Sequence, residues 1–295
     1  MATEQSTERR FHRPSDIAEA TALLREHDAV LVSGGQSLMP LIRQGMIDRD
    51  HLVDISNVDG YDEVEIDDGG LHLGGLVTHR ELIEADLLET PYRALPETAK
   101  EIGDRQVRNW GTIGGSVAHA DPSLDYPPTM TVLDAEVTYT GDGETTDRVP
   151  IDEFYFGPYV SVLQPHEIVV AVDVPDPGPN AGVAFEKFAW RRGDMSLVNV
   201  AARLTVDHAA DTVEEARLCV GAMGPTPLRL TELEDELVGS DPHDADHQRA
   251  VADRIPEFTE PVPEEHASVD YKNRIASNLA TKTLRTAAER AEEGA

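Results

Sequence analysis

The 295-residue chain has one cysteine, four lysines and two tryptophans, and it lacks any long apolar run. Cys219 by itself cannot form a disulfide within the chain or furnish the thiolates of an iron–sulfur cluster. No stretch approaches the ~20 apolar residues of a membrane span. The N-terminal Met-Ala-Thr-Glu-Gln-Ser-Thr-Glu-Arg-Arg is polar and has no apolar core of a secretory signal. A cytoplasmic protein is expected, one that reaches a membrane only through a partner. Clustered arginine and lysine are missing too, which excludes a phosphate-binding stripe and a nucleic-acid role.

Acid is what the chain has in excess. Fifty-six acidic residues face 25 basic ones, a formal net charge of −31. The acidic residues run from Glu4 to Glu293, whereas a partner-binding surface would concentrate them. Spread-out acid with scarce lysine (Lys100, Lys187, Lys272, Lys282) points to a halophilic protein, whose self-repulsion salt screens.

Pattern gives the organisation. Pro14-Ser15-Asp16 opens a helix, with Ser15 as cap and Asp16 as favourable charge, over the stripe Ile17, Ala20, Leu23, Leu24. Strands are expected at Ala29–Val32 and His51–Ile55, so residues 1–57 read as a small α/β unit. A hairpin turns at Asp67-Asp68-Gly69-Gly70. Helices follow at Thr78–Leu88, Tyr92–Glu101 and Leu124–Met130, and strands at Thr131–Thr140 and Ile168–Val174. Pro175-Asp176-Pro177-Gly178-Pro179-Asn180 is the strongest linker signal. Beyond it come strands at Gly182–Ala189, Leu197–Val206 and Glu214–Val220. Helices at Thr231–Val238, Asp244–Ile255 and Val269–Arg290 complete a small sheet covered on one face. The fold class is α+β, with domains at 1–176 (subdomains about 1–57 and 58–176) and 181–290.

Two glycine-rich segments carry the chemistry. Ser33-Gly34-Gly35-Gln36-Ser37 follows a strand, and paired glycines let backbone N–H groups converge on an anion. Neither the Rossmann nor the P-loop spacing is present, and a ligand-free strand-to-helix turn explains Gly34 and Gly35 equally well. Arg108-Asn109-Trp110-Gly111-Thr112-Ile113-Gly114-Gly115-Ser116 repeats the theme, ahead of His119, Asp121 and Asp125. Two phosphate-type nests favour an extended ligand such as a dinucleotide. His119 and Asp121 have no third metal ligand at local spacing, so no metal is expected. Ser116 near His119 lacks the hydrolase elbow Gly-x-Ser-x-Gly. Arg105 and Arg108 are the nearest cations to the glycines.

Three stretches together resemble one family: Ser33-Gly34-Gly35-Gln36-Ser37-Leu38-Met39-Pro40, Gly103-Asp104-Arg105-Gln106-Val107-Arg108-Asn109, and Thr112-Ile113-Gly114-Gly115-Ser116-Val117-Ala118-His119-Ala120-Asp121-Pro122. It is the FAD-binding medium subunit of molybdenum hydroxylases, which includes carbon monoxide dehydrogenase flavoproteins and xanthine dehydrogenase FAD subunits. Phe185-Glu186-Lys187 and Arg192-Gly193-Asp194 look like the start of that family's C-terminal domain. The resemblance implies a two-subdomain FAD-binding domain of the p-cresol methylhydroxylase/vanillyl-alcohol oxidase type. A small carbon monoxide dehydrogenase flavoprotein-like C-terminal α/β domain would follow it. It implies FAD held at Val32, Ser33, Gly34, Gly35, Gln36, Ser37 and Leu38, and at Thr112, Gly114, Gly115, Ser116 and His119. Ala120 and Asp121 would lie near the flavin or ribityl chain, Asp125 near the adenosine part, and Lys187 near the isoalloxazine, unless Lys187 is a surface ion pair. The implied partners are a large molybdopterin-binding subunit and a small subunit with two [2Fe–2S] clusters, in a dimer of heterotrimers. No side chain is expected as a catalytic residue, because the flavin does the redox chemistry. A free-standing FAD-dependent oxidoreductase acting on a small substrate is the alternative.

Overall fold

The computed structural model describes residues 9–293. Its N-terminal sheet is wholly parallel, in the order β1 (Arg10–His12), β3 (His51–Asp54), β2 (Ala29–Val32). Helix α1 (Ile17–Glu26) covers one face, burying Ile17, Ala20 and Leu24 with Val53 and Ile55. The cap of α1 is Asp16, whose carboxylate accepts from Glu19 N–H; Ser15, expected as the cap, instead bonds Asp16 and Glu19. Asp16 has the extended backbone a cap requires, and a carboxylate there also meets the positive end of the helix. Helix α2 (Leu38–Arg43) follows β2 after a five-residue loop.

Next in the chain are β4 (Val64–Asp67) and β5 (Gly70–Gly74), paired as the expected hairpin. Four short helices follow: α3 (His79–Glu84), α4 (Ala94–Glu101), α5 (Arg105–Trp110) and α6 (Ile113–His119). Thr78 and Glu81 form a reciprocal capping box at α3, which stops at Glu84, short of Leu88, because Ala85 is extended. Helix α7 (Tyr126–Val132) is buried throughout. The strand expected from Thr131 starts only at Glu136: Thr131 and Val132 finish α7, and Asp134 turns the chain at φ 52°. Strands β6 (Glu136–Thr140) and β7 (Asp147–Pro150), helix α8 (Ile151–Phe154), the pair β8 (Tyr155–Gly157) and β9 (Val160–Ser161), and β10 (Ile168–Val174) complete this region. Its five-stranded antiparallel sheet has the order β4-β5-β10-β6-β7.

After Pro175–Asn180, β11 (Ala181–Phe188), β12 (Val198–Asp207), β13 (Thr212–Gly221) and β14 (Leu228–Arg229) form an antiparallel meander. Helices α9 (Thr231–Leu237), α10 (Ala245–Ala252) and α11 (Val269–Glu293) cover one face, as the sequence predicts. The other face is also covered. Alternation along the strands sends Ala184, Val200, Ala202, Leu218 and Val220 toward those helices, and Val183, Ala201 and Cys219 into the core around Leu95, Ile113 and Met130. Burial on both faces makes β12 nearly continuous in apolar residues. It also places the lone cysteine between the two halves, where burial pushes its thiol pKa up. Asp134 ties the halves further, within salt-bridge distance of Arg203, Arg217 and Arg229.

Candidate functional site

The two glycine segments meet. Ser33 Oγ lies 2.8 Å from Thr112 Oγ1, and a Cβ on Gly34 would fall 1.8 Å from the Trp110 carbonyl oxygen. Glycine is therefore obligatory at Gly34 because two backbones touch there. Gly35 adopts φ +69°, where a side chain is strained, and its carbonyl accepts from Met39 N–H at 2.9 Å. The backbone N–H groups from Gly34 to Leu38 have no acceptor among the described residues. A run of five open donors around two glycines has the composition of a backbone anion nest. Gln36 Nε2 braces it by donating to the Gly34 carbonyl at 3.1 Å.

The second segment differs from expectation. Ile113 N–H donates to the Val77 carbonyl, Gly114 N–H to the Gly75 carbonyl, and Gly115 N–H to Thr112 Oγ1, at 2.9, 2.9 and 3.1 Å. These are the first-turn donors that a helix end leaves open, and here the chain itself satisfies them. Gly114–Gly115 is thus not a second backbone nest. A Cβ at Gly114 would sit 2.7 Å from the Gly75 carbonyl oxygen, so that glycine serves close packing of α6 on the end of β5. At Gly115 a Cβ would approach Thr112 Oγ1 at 2.8 Å and the Ser33 side chain at 3.6 Å. Glycine there keeps the two segments in contact.

Helix α6 leads from this junction to a second group of polar residues. Seven residues at 1.5 Å each separate the ends by about 10 Å. Ala120 ends the helix in the left-handed conformation, and its carbonyl accepts from Tyr159 N–H at 2.7 Å. Tyr159 Oη donates to Asp121 Oδ2 at 2.9 Å, while Asp121 Oδ1 accepts from Ser123 N–H. The bond to Asp121, with partial burial, raises the Tyr159 pKa. The His119 ring lies 5.4 Å from that of Tyr159, and burial lowers its pKa against the opposing pull of Asp121. Trp110 is 62% exposed and Tyr159 63%, so neither ring packs into the core. Tyr159 was not singled out from the sequence. It lies on the short β8–β9 connection, at φ 61°, and joins Asp121 only through the tertiary fold.

Two residues of the expected site, and a neighbouring arginine, are engaged within the protein. Lys187 is not a surface ion pair: its Nζ donates to Asp125 Oδ2 at 2.7 Å and to the Glu101 carbonyl at 3.1 Å, with both side chains almost wholly buried. Asp125 Oδ1 accepts from Ser196 Oγ at 2.6 Å. Burial raises the Asp125 pKa, and Lys187, Ser196 and Asn199 oppose that shift. This pair therefore locks β11 to the start of α7. Arg108 Nη1 donates to the Ile102 and Gly103 carbonyls at 2.8 and 2.9 Å, which fixes the turn that follows α4. Nearby, a Cβ on Gly193 would fall 2.6 Å from the Gly103 carbonyl oxygen, so the Arg192–Asp194 loop rests on the Gly103–Asn109 segment.

Buried His79 supports the junction from below. Its backbone N–H donates to the Gly111 carbonyl at 2.9 Å, and its ring Nδ1 lies 3.1 Å from Tyr126 Oη. Burial, with help from Arg108, lowers its pKa to about 4. A separate cavity of about 740 Å³, lined by Asp67, His72, Asp134, Arg148 and Asp173 among others, includes no residue of the glycine segments.

This arrangement has close relatives. The family described as the FAD binding domain in molybdopterin dehydrogenase matches residues 5–177, and the CO dehydrogenase flavoprotein C-terminal domain matches residues 183–287. The carbon monoxide dehydrogenase medium chain of Hydrogenophaga pseudoflava is 30% identical over 94% of this chain and 96% of its own length. The 6-hydroxypseudooxynicotine dehydrogenase complex subunit alpha of Paenarthrobacter nicotinovorans is 34% identical over 90% of this chain and 88% of its own. Among solved structures, a chain of the Hydrogenophaga pseudoflava carbon monoxide dehydrogenase superposes with a TM-score of 0.91 at 30% identity, covering 96% and 98% of the two chains. Quinoline 2-oxidoreductase from Pseudomonas putida 86 gives 0.89 at 29%, with the same coverage. The protein is therefore an oxidoreductase flavoprotein that binds FAD and transfers electrons within a multi-subunit complex. The chain belongs to the FAD-binding medium subunits of the molybdenum hydroxylases, alongside the carbon monoxide and xanthine dehydrogenase flavoproteins.

Proposed function

We propose that FAD lies along α6, with its pyrophosphate in the Gly34–Leu38 cradle and its flavin half toward Ala120, Asp121 and Tyr159. The five N–H groups without a protein acceptor carry this reading. They solve an electrostatic problem: a chain at −31 must hold a doubly charged pyrophosphate, and it does so with backbone dipoles instead of cationic side chains. The Ser33 and Thr112 hydroxyls complete the phosphate end, with Gly115 packed against both and the Ser116 N–H bonded to the Thr112 carbonyl. Asp121 is held by Tyr159 and Ser123 in position to accept from a ribityl hydroxyl, and His119 stays neutral beside it. Gly114, Asp125 and Lys187 act indirectly, by fixing α6, α7 and β11.

The bound flavin supplies reversible electron uptake. Around it, this chain's residues orient and shield. We further infer a complex with a large molybdopterin-binding subunit and a small [2Fe–2S] subunit, arranged as a dimer of heterotrimers. Electrons arrive from the small subunit and leave for an external acceptor. The acid spread over the chain suits a cytoplasm rich in salt, as does its small lysine content; the side chains of Lys187 and Lys272 are both buried in ion pairs. The test is a visible spectrum of the purified full-length chain with quantitation of FAD released on denaturation. About one FAD per chain is expected, and a colourless, correctly folded protein that takes up no added FAD refutes the cradle. Copurification with the two partner subunits tests the assembly separately.

A further inference from the structure

Far from the glycine segments, three histidines come together at one end of the N-terminal sheet. In the parallel register His51 stands opposite Arg10 and Ala29, and His12 opposite Val53. Partners in register share a face, and so do residues two apart, which puts His12 and His51 on the face that buries Val53 under α1. Helix α1 ends at Glu26, before it reaches that end of the sheet. His27, its C-cap with an extended backbone, is brought over the gap.

The three rings then crowd one another. Centroids lie 4.2 Å apart for His27–His51, 5.1 Å for His12–His51 and 5.5 Å for His12–His27, with the rings stacked. One ring nitrogen from each falls within 4.8 Å of the other two. His12 Nε2 and His51 Nδ1 are already 2.8 Å apart, sharing a single hydrogen between two nitrogens. The His27 ring has no hydrogen-bond partner among the described residues. All three are half-buried, open enough for an ion to enter and for water to complete its shell. Ligand nitrogens about 2.0–2.1 Å from a tetrahedral ion stand roughly 3.3–3.4 Å apart, so the His12–His51 pair has to open from 2.8 Å while the His27 ring closes. That closure is rotation about the broad terminal torsion of a histidine. Imidazoles without thiolate or carboxylate partners suit zinc, nickel or copper, and not magnesium or calcium.

We propose that His12, His27 and His51 bind one late first-row divalent cation, with zinc as the type case. The ion clips the N-terminal strand to the junction of α1 and β2. Strand β1 is held by only three residue pairs at the edge of its sheet, and the clip ties it to the α1–β2 junction, with which it forms no sheet pairing.

Zinc titration of the full-length, tag-free, chelator-stripped chain by calorimetry tests this. One equivalent of zinc is expected to bind at micromolar concentration or tighter, and cobalt in its place to show tetrahedral ligand-field bands. Either His27→Gln or His12→Gln is expected to weaken binding at least tenfold. Both variants should keep the wild-type circular dichroism and FAD content, since His27 lies outside the sheet ladder and the rings touch no glycine segment. Failure to bind a stoichiometric ion overturns the proposal. So does an ion whose affinity survives both substitutions, which would place it among the surface carboxylates. His27→Gln is the decisive variant should His12→Gln disturb the strand.

Discussion

At Gly34–Leu38 five successive N–H groups have no protein acceptor, whereas at Ile113–Gly115 every N–H is bonded within the chain. Both segments begin after a polar hydroxyl residue, both contain a glycine pair, and both open a helix. Their surroundings separate them. The first loop leaves the end of a parallel strand, turns at Gly35 with positive φ, and has no acceptor for its amides among the described residues. The second docks against the Gly75–Val77 backbone, whose carbonyls point at it, so its glycines permit contact and its donors are consumed there. The first segment leaves its donors open. The other is built to hold the first in place.

Gly34→Ala is expected to have the largest effect. Its Cβ cannot occupy space 1.8 Å from the Trp110 oxygen, so the segments must separate and FAD affinity should fall about a thousandfold, roughly 4 kcal/mol. Fluorescence titration of the apoprotein with FAD measures this, and near-wild-type affinity would mean that the junction is not needed for the cradle. Acid should come next, through His79. The unfolded chain takes up a proton near pH 6.5 that the folded chain refuses until about pH 4, so this contribution is intact above 6.5 and is lost as pH falls toward 4. The loss amounts to about 3 kcal/mol in total. Urea unfolding at several pH values should show a shallower acid slope in His79→Gln than in the wild type.

Gly114→Ala sharpens the contrast between the segments. Overpacking against Gly75 should cost about 1–3 kcal/mol of stability, while the FAD affinity of the folded fraction changes by less than about tenfold. A large loss of FAD affinity with unchanged stability would give Gly114 the ligand role that its bonded N–H argues against. Thr112→Val should be the mildest change, at about 1 kcal/mol from the lost helix cap, detectable as a small drop in Tm.

Much of the fold could be read directly from local pattern. Alternation located β4 and β5, an apolar run located β10, and the Pro175–Asn180 run marked the break before β11. Helix ends were less legible, because α3 stops and β6 starts where tertiary contacts, not propensity, decide. At the site, Ser33–Leu38 was recognisable by composition, but the use of each N–H depends on what packs nearby. Asp125 and Lys187 lie 62 positions apart, and no local signal reveals that they form a buried pair. Tyr159 and the three clustered histidines, at positions 12, 27, 51 and 159, carry no local signal for the same reason: only the fold brings them to their partners.

By itself the sequence determined the α+β order, the absence of disulfides and cysteine-bound clusters, and the two glycine segments that mark an FAD subunit. These follow from residue type and short-range spacing, which the chain carries with it into any fold. Tertiary structure alone decided which glycine pair keeps its amides available, which charges disappear into buried pairs, and which histidines meet. Those outcomes depend on the acceptors and ring atoms that packing brings within about 3–5 Å, across separations in sequence that no local pattern records.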